Sequence, residues 1–336
     1  MLRHLHREPG FYKRLFRLAL PLILQNLITT SLGFVDTFMV GMLGQNELSA
    51  VTAANTPIYM IQIIILGLLS GLSVLASQYW GKGDTKSINR CMGVSLYAGL
   101  LISVPVAAVL FFFPTPVMAL VTNNDLLIQL GAPYLRIVGI SYIFNSISSV
   151  YIGMQRSTEN PAMGMIVFGI SMLTNTGLND ILIFGKFGAP RMEVAGAALG
   201  TLIARIIEFS MVVGYTFLKD QNIGYRFRDL FGSCRDLVGE YLNISIPVLV
   251  SDSLLALGNS AVAMVMGHIG AQFVSANAIT AVTQQLSTVF IQGISQASCI
   301  VVGHTLGTGD RKRAQDQGYT FLLLGVGIGI VAGGII

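Results

Sequence analysis

The stretch LPLILQNLITTSLGFVDTFMVGMLG, from Leu20 to Gly44, decides the fold class of this chain. About 20 mostly apolar residues are enough for a helix to cross the hydrocarbon core of a bilayer. Asp36 is the only charged residue in the stretch. A charge inside a membrane span costs about 2.5–3.5 kcal/mol, so such residues usually face a cavity or a partner. The stretch therefore predicts a membrane-spanning helix whose aspartate is a functional candidate.

Eight more apolar stretches of similar length follow, so the sequence predicts nine spans. The composition agrees, because 53% of the 336 residues are hydrophobic and 11% are charged, whereas soluble domains carry about 25% charged residues. The chain is therefore predicted to be an all-α polytopic membrane protein. Its net charge of +4 is modest and scattered, which gives no face for nucleic acid. The predicted spans are 15–43, 52–80, 91–118, 130–154, 162–185, 194–218, 241–267, 274–305 and 317–336.

Lysine and arginine residues fall mainly on one side of the predicted membrane. The N-terminal arm and the loops on its side hold sixteen of them, including Lys82 and Arg156. The opposite loops hold Lys186 and Arg191, with Arg136 near that interface. Cytoplasmic loops carry the excess of basic residues. We therefore expect a cytoplasmic N-terminus in a multi-pass protein of the plasma (cytoplasmic) membrane.

An internal repeat appears when the chain is shifted by 226 residues, since Pro21 then meets Pro247 and Gly67 meets Gly293. The turn Gly81-Lys-Gly-Asp84 meets Gly307-Thr-Gly-Asp310 in the same register. The first and seventh spans run in the same direction, so the repeat is parallel, with a pseudo-twofold axis along the membrane normal. The repeat predicts two six-helix lobes, of which the second is incomplete. We expect a six-helix lobe at 1–218, a cytoplasmic amphipathic linker at 219–240 and three helices of the second lobe at 241–336.

Four polar residues of the first lobe fall at one predicted depth. At 1.5 Å per residue, Asp36, Asn175, Asn179 and Thr201 lie about 10–15 Å below the outer ends of their helices. Asn175 and Asn179 are four residues apart and share one helix face. Hard cations prefer oxygen ligands, so these side chains predict a proton or Na⁺ site. The alternative is that each group only forms a hydrogen bond with a neighbouring helix.

Other polar residues in the spans have two open interpretations. Asp180 can line the cavity or anchor its helix end near Lys186, and Arg205 and Glu208 can form an ion pair at i,i+3 spacing or line the cavity. Asp252 can line the second lobe. Three uncharged residues fit either a wet cavity or contacts between helices: Tyr59, Gln62 and Asn145.

Several motifs resemble one known family. The stretch from Leu20 through Asp36, the turn Gly81–Asp84, the run Asn175-Thr-Gly-Leu-Asn179 and the run Gly196–Thr201 are similar to segments of the MATE (multidrug and toxic compound extrusion) transporters. The similarity extends over essentially the whole chain and includes the repeat. Where some members carry a second aspartate, this chain has Asn179, and Asp180 is displaced by one position. Arg205 is also unexpected in its helix.

The resemblance implies twelve helices in two lobes, so about three helices of the second lobe are expected to be missing. It implies alternating access driven by Na⁺ or H⁺, with export of organic cations, drugs and amphipathic metabolites. The family's aspartate, asparagine and threonine fall on Asp36, Asn175 and Thr201. No cofactor is expected besides the coupling ion. The expected partners are small amphipathic or cationic substrates and membrane lipid, with the protein a monomer.

Three other functions are less consistent with the sequence than ion-coupled export. A lipid-linked oligosaccharide flippase is similar in architecture, but it should have a strongly cationic cavity, and the predicted spans offer only Arg205. A membrane-embedded enzyme is disfavoured because the chain has no HExxH or GxSxG motif and its four histidines are scattered. A receptor is disfavoured by the internal repeat.

The predicted orientation can be tested with introduced cysteines. A cysteine at Ser87 should resist a membrane-impermeant thiol reagent in intact cells, because its loop is predicted to be cytoplasmic. A cysteine at Gln45 should react, because it lies on the opposite side. The reverse pattern would overturn the orientation.

Overall fold

The computed structural model describes residues 9–220, 223–225, 235–269 and 271–335, and their regular structure is entirely helical. Ten α-helices and one 3₁₀ turn follow one another along the described chain. Their bounds are α1 Pro9–Gly41, α2 Gln45–Lys82, α3 Thr85–Phe112, α4 Pro114–Val121, α5 Asp125–Ser157, α6 Pro161–Phe184, the 3₁₀ turn Lys186–Gly188, α7 Glu193–Leu218, α8 Arg235–Ile269, α9 Ala271–Gly307 and α10 Arg311–Ile335.

Eight of the described helices are long and apolar enough to cross a membrane, which confirms the all-α membrane fold. The ninth predicted span coincides with α10, which is a helix but is not among those eight. Large apolar side chains such as Leu101, which is 76% exposed, point outward from the helix bundle. Lipid, unlike water, accepts such a surface at no cost.

Two predicted boundaries were wrong. The third predicted span, 91–118, is two helices, because Pro114 ends α3 and starts α4. Proline lacks a backbone N–H and suits the first position of a helix but not an uninterrupted interior. The predicted linker, 219–240, overlaps α8, which already begins at Arg235; residues 221–222 and 226–234 lie outside the described part of the chain. The division into lobes stays a prediction.

The repeated Gly-x-Gly-Asp motif forms the same turn twice. Gly83 and Gly309 both adopt positive φ, at 72° and 89°. Asp84 then caps α3 by accepting the Ser87 backbone N–H at 3.1 Å, and Asp310 accepts the Arg313 N–H at 3.0 Å. Hydrogen bonds from the Ser87 hydroxyl and N–H hold the pKa of the Asp84 carboxyl below its ordinary value. Each pair of equivalent residues is 226 positions apart.

Contacts between the two repeats come in pairs whose residues are related by the same shift of 226 positions. A Cβ added at Gly67 of α2 would lie 3.1 Å from the Leu249 Cα of α8. A Cβ added at Gly293 of α9 would lie 3.0 Å from the Ile23 Cα of α1. Gly293 is the repeat partner of Gly67, and Leu249 is the partner of Ile23. The parallel repeat read from the sequence is therefore present in the packing.

The two repeats approach each other closely where α2 and α9 cross, at a contact that we call the glycine crossing and define by Gly81 and Gly307. A Cβ at Gly81 would overlap the carbonyl oxygen of His304, and a Cβ at Gly307 would overlap that of Gln78. His304 is again the repeat partner of Gln78. The crossing lies at the basic end of the helix bundle, the end where α1 begins and α2 and α9 finish.

Alanine at either glycine should weaken this packing. Gly81→Ala and Gly307→Ala should each cost about 1–3 kcal/mol, as overpacking does, because a backbone carbonyl cannot move aside as a side-chain tip can. The apparent melting temperature in detergent should fall for both variants. Gly318→Ala on α10, where an added Cβ meets open space, should leave it unchanged or raise it slightly. Equal stability of all three variants would contradict the crossing.

Candidate functional site

The four residues predicted to share one depth form a connected cluster between α1, α6 and α7, which we call the Asp36 cluster. The Asn179 Nδ2 donates to the Asp36 Oδ1 at 2.7 Å and to the Asn175 Oδ1 at 3.1 Å. The Asn175 Nδ2 in turn donates to the Thr201 Oγ1 at 3.3 Å. The structure therefore brings all four together, and their role as a coupling site stays a prediction.

Local sequence explains why the amides fit so closely. Asn175 and Asn179 lie one turn apart on α6, and both side chains are buried, at 2% and 0% exposure. Gly200 of α7 faces Asn179, and a Cβ there would overlap the Asn179 Oδ1. Thr201 is held in its rotamer by donating to the Ala197 carbonyl at 3.0 Å. A glycine next to the threonine thus makes room for the central amide.

The cluster offers oxygen atoms to an ion. The Asn179 Oδ1 is buried and has no hydrogen-bond partner, and buried polar atoms left unpaired are few in native structures. Asp36 is half-buried and borders a cavity of about 330 Å³ together with Thr201. Carboxylate, amide and hydroxyl oxygens suit Na⁺, and the carboxylate alone suits H⁺. The donor set fits the predicted ion.

Two tyrosines that were not predicted from the sequence also border this cavity of about 330 Å³, which is the smaller of two polar cavities. Tyr134 is 8% exposed, and its hydroxyl donates to the Asn55 Oδ1 at 3.2 Å. Tyr142 lies eight residues, or about two helical turns, further along α5 and lines the same cavity. Nothing in the sequence distinguished them from other aromatic residues of the spans, because their common face becomes visible only when α5 packs against α2.

Arg205 and Glu208 form the predicted i,i+3 ion pair, with the Arg205 Nη1 donating to the Glu208 Oε2 at 2.7 Å. Glu208 is fully buried, and Ser171 of α6 donates to the same oxygen at 3.2 Å. Arg205 also reaches two cavities, since it lines both the smaller one and a second cavity of about 490 Å³. Both interpretations offered by the sequence therefore hold for Arg205.

The remaining candidates separate. Asp180 forms an exposed ion pair with Lys186 at 2.7 Å, as the anchoring interpretation of this residue expects. Asp252 is exposed on α8, and its role in lining the second lobe stays a prediction. Tyr59 is 61% exposed and lines a separate, mostly apolar groove between α2 and α8.

The two polar cavities adjoin each other. Gln62 and Arg205 line both of them, as do Thr29 and Leu32. Asn145 lines the larger cavity, which extends toward the basic end. Arg156 lines the larger cavity as well, although the sequence assigned it to a loop. The loop begins three residues later than the predicted span, 130–154, implied, since α5 continues to Ser157.

The chain is similar to a known protein family and to several known proteins over most of its length. The family model MatE matches residues 21–181 and 247–336. A probable multidrug resistance protein NorM of Rhizobium meliloti is 25% identical over 326 residues, covering 96% of this chain and 69% of the relative. The uncharacterized transporter YisQ of Bacillus subtilis is 26% identical over 300 residues, covering 87% and 64%. The chain thus spans about two thirds of the length of such relatives.

Solved structures show the same fold. An outward-facing MATE transporter of the MOP superfamily superposes with a TM-score of 0.85 at 21% identity, covering 96% of this chain and 71% of that one. A MATE structure in the straight conformation gives 0.87 at 20% identity, covering 96% and 72%.

The fold and the polar clusters define a polytopic helical membrane transporter built on a parallel repeat. The chain belongs to the MATE family, as the match to the family model over most of its length shows. It is a transport protein and not an enzyme, and the resemblance read from its motifs is confirmed.

The buried ion pair gives a stability prediction. Arg205→Met should cost about 3–5 kcal/mol of unfolding free energy, because it leaves Glu208 buried without a cation. The double variant Arg205→Met/Glu208→Leu should recover most of that loss. Unfolding by denaturing detergent would measure both.

A matched control is Lys186→Met, which breaks the exposed pair with Asp180. It should cost less than about 1 kcal/mol. If Arg205→Met costs no more than Lys186→Met, the 205–208 pair does not stabilise the fold.

Proposed function

We propose that this chain forms the ion-coupling part of a secondary active antiporter, which exports organic cations, drugs or amphipathic metabolites in exchange for Na⁺ or H⁺ by alternating access. The observation that carries the proposal is the Asp36 cluster, in which a membrane carboxylate beside a cavity accepts from the buried amide of Asn179, and this amide also donates to Asn175. Relatives that are named as multidrug resistance proteins support the export of such compounds.

The hydrogen bonds of the Asp36 cluster show how the proposed site would hold an ion. The Asn179 Nδ2 points at the Asp36 Oδ1, which is the arrangement an ionised carboxylate favours. The same amide keeps its own oxygen unpaired. A half-turn of the amide would exchange nitrogen for oxygen and place an additional oxygen ligand beside Asp36. Na⁺ would be held by that oxygen and the carboxylate; H⁺ would bind to the carboxylate itself.

Coupling requires that the ion site communicate with the substrate path. The Asp36 cavity and the larger cavity share Gln62 and Arg205, so a change around Asp36 reaches the walls of both. Arg205 carries charge into this shared wall. An ion that neutralises Asp36 would alter the attraction between that carboxylate and the Arg205 guanidinium, and so the position of α7 relative to α1.

Two contacts between separate helices lie at the basic end of the helix bundle. The glycine crossing joins α2 to α9, and Arg14 of α1 pairs with Glu159 in the α5–α6 turn, its Nε donating at 3.2 Å. Alternating access would require the crossing to separate. We propose that this end faces the cytoplasm, in the plasma membrane, with the protein acting as a monomer in lipid; the excess of lysine and arginine at this end supports the orientation.

Replacing the coupling carboxylate should abolish transport. Asp36→Asn keeps the size and the hydrogen-bonding capacity of the side chain but cannot carry the charge that exchanges one ion for another. In inverted vesicles that contain the full-length protein, the uptake of the cationic dye ethidium or the anionic dye fluorescein, whichever the wild type transports under an imposed Na⁺ or H⁺ gradient, should fall to background. Membrane insertion should be unchanged.

Asp180→Asn is the matched control, because Asp180 is also on α6 but pairs with Lys186 at the exposed helix end. That variant should transport like the wild type. Transport by Asp36→Asn at the wild-type rate would refute the assignment. Binding of ²²Na⁺ to the purified protein, lost in Asp36→Asn, would identify Na⁺ as the coupling ion; gradient-driven transport without such binding would identify H⁺.

A further inference from the structure

The larger cavity has an unusual charge balance. Its described lining residues include two arginines, Arg156 and Arg205, and no aspartate or glutamate. The cavity lies between helices of both repeats, since α1, α2 and α5 form most of it and Gln296 and Cys299 of α9 complete it. A cationic ligand would find no carboxylate on these walls.

The two arginines are not equivalent. Arg205 is neutralised by Glu208 at 2.7 Å. Arg156 has no carboxylate partner among the described residues, and its Nε is buried without an acceptor. Arg156 as a whole is half-buried, and a partly buried cation without a counter-ion is unfavourable. Arg156 therefore gives the cavity a positive charge that the described side chains do not balance.

Neighbouring amides are unpaired as well. Gln25 is 2% exposed, and its Oε1 has no hydrogen-bond partner. The Gln296 Oε1 and the Asn26 Nδ2 are also buried without partners, and all three residues line the same cavity. Water can satisfy amides, but only an anion can neutralise Arg156. Among the described residues, the cavity walls thus present the Arg156 cation, two amide oxygens without donors on Gln25 and Gln296, and one amide N–H group without an acceptor on Asn26.

We propose that the larger cavity binds the anionic group of the exported compound, a carboxylate or a phosphate at Arg156, with hydroxyl or amino groups of the ligand donating to Gln25 and Gln296. Ile65, Leu69 and Phe168 supply apolar contacts for the remainder. This proposal rests on the proposed function and narrows its substrates to amphipathic metabolites that carry an anionic group, in preference to organic cations.

Cys299 provides a built-in reporter, because it lines the cavity while Cys91 is 1% exposed in the core. In the full-length protein, Cys299 should react faster with the anionic reagent methanethiosulfonate ethylsulfonate than with the cationic reagent methanethiosulfonate ethyltrimethylammonium. Peptide mass spectrometry follows the modification of this residue alone. The ratio of the two rates cancels the intrinsic reactivity of the thiol and reports the local electrostatic potential.

Arg156→Gln should lower this rate ratio about fivefold or more, as expected when a unit charge is removed within about 10 Å in a medium of intermediate dielectric constant. Arg156→Lys, which keeps the charge, should retain most of the ratio. Arg136→Gln is the control, since Arg136 is exposed at the opposite end and donates to the Phe111 carbonyl. An unchanged ratio in Arg156→Gln, or no reaction of Cys299 with either reagent, would overturn the proposal.

Ligand binding is tested with two dyes of matched ring system. Fluorescein, an anion, should bind the purified protein more tightly than rhodamine 6G, a cation, and Arg156→Gln should remove the preference. Tighter binding of rhodamine 6G by the wild type would refute the anionic assignment. Competition by glycerol 3-phosphate would indicate a water-soluble anion, and competition only by short-chain phosphatidylglycerol would indicate a lipid headgroup; both support the anion site.

Asp36→Asn separates this proposal from the proposed function. It should not lower the rate ratio or the preference for the anionic dye, because it removes a negative charge and leaves Arg156 in place, while it should abolish ion-driven uptake. Loss of uptake with an intact dye preference supports both proposals. An unaltered uptake in Asp36→Asn, together with an Arg156-dependent dye preference, would refute ion coupling at Asp36 and leave the anion site standing.

Discussion

Polar groups inside a membrane must find their partners within the protein, and the packing of α6 against α7 depends on this constraint. Hydrocarbon offers no hydrogen bonds, and each unsatisfied group costs several kcal/mol. The interface is therefore a series of polar contacts in antiparallel register. Gly196 approaches the Leu182 carbonyl and Gly200 approaches Asn179, while deeper in the span Asn175 pairs with Thr201 and Ser171 with Glu208. A sliding of either helix would break every one of these contacts, which fixes the position of Asn179 beside Asp36.

The repeat imposes a second constraint, since helices related by a twofold axis must pass one another where the axis lies. At the basic end α2 and α9 cross at Gly81 and Gly307, and each backbone lies against a carbonyl of the other. A side chain at either position would hold the helices apart. The same pseudo-symmetry pairs α2 with α8 and α1 with α9. At this end the two repeats are thus in contact through backbone atoms. Separating these atoms would leave no buried charge without a partner.

The chemistry of the two repeats is unequal even though their packing is related. Asp36 has Val262 as its repeat partner, which is 52% exposed, and Asn26 has Asp252, which is exposed on α8. The residues predicted to couple the ion are therefore all in the first repeat. The second repeat contributes cavity wall through α9, with Gln296 and Cys299 facing Arg156 and Gln25. One repeat supplies the charge and the other closes the space around it.

The sequence by itself determined the membrane class, the parallel repeat and the depth of the polar residues. Each follows from local quantities: span length, spacing along one helix and the shift of 226 residues. The sequence also predicted that four residues would approach one another, because residues at equal depth in neighbouring spans lie at the same level of the membrane. These residues are Asp36, Asn175, Asn179 and Thr201. Depth does not give direction around the helix axis, however. Only the packing of the helices decided that Asp252 is exposed, that Tyr134 lines the Asp36 cavity and that Arg156 lies in a cavity wall and not in a loop. The reason is that the neighbours of a side chain come from distant parts of the chain.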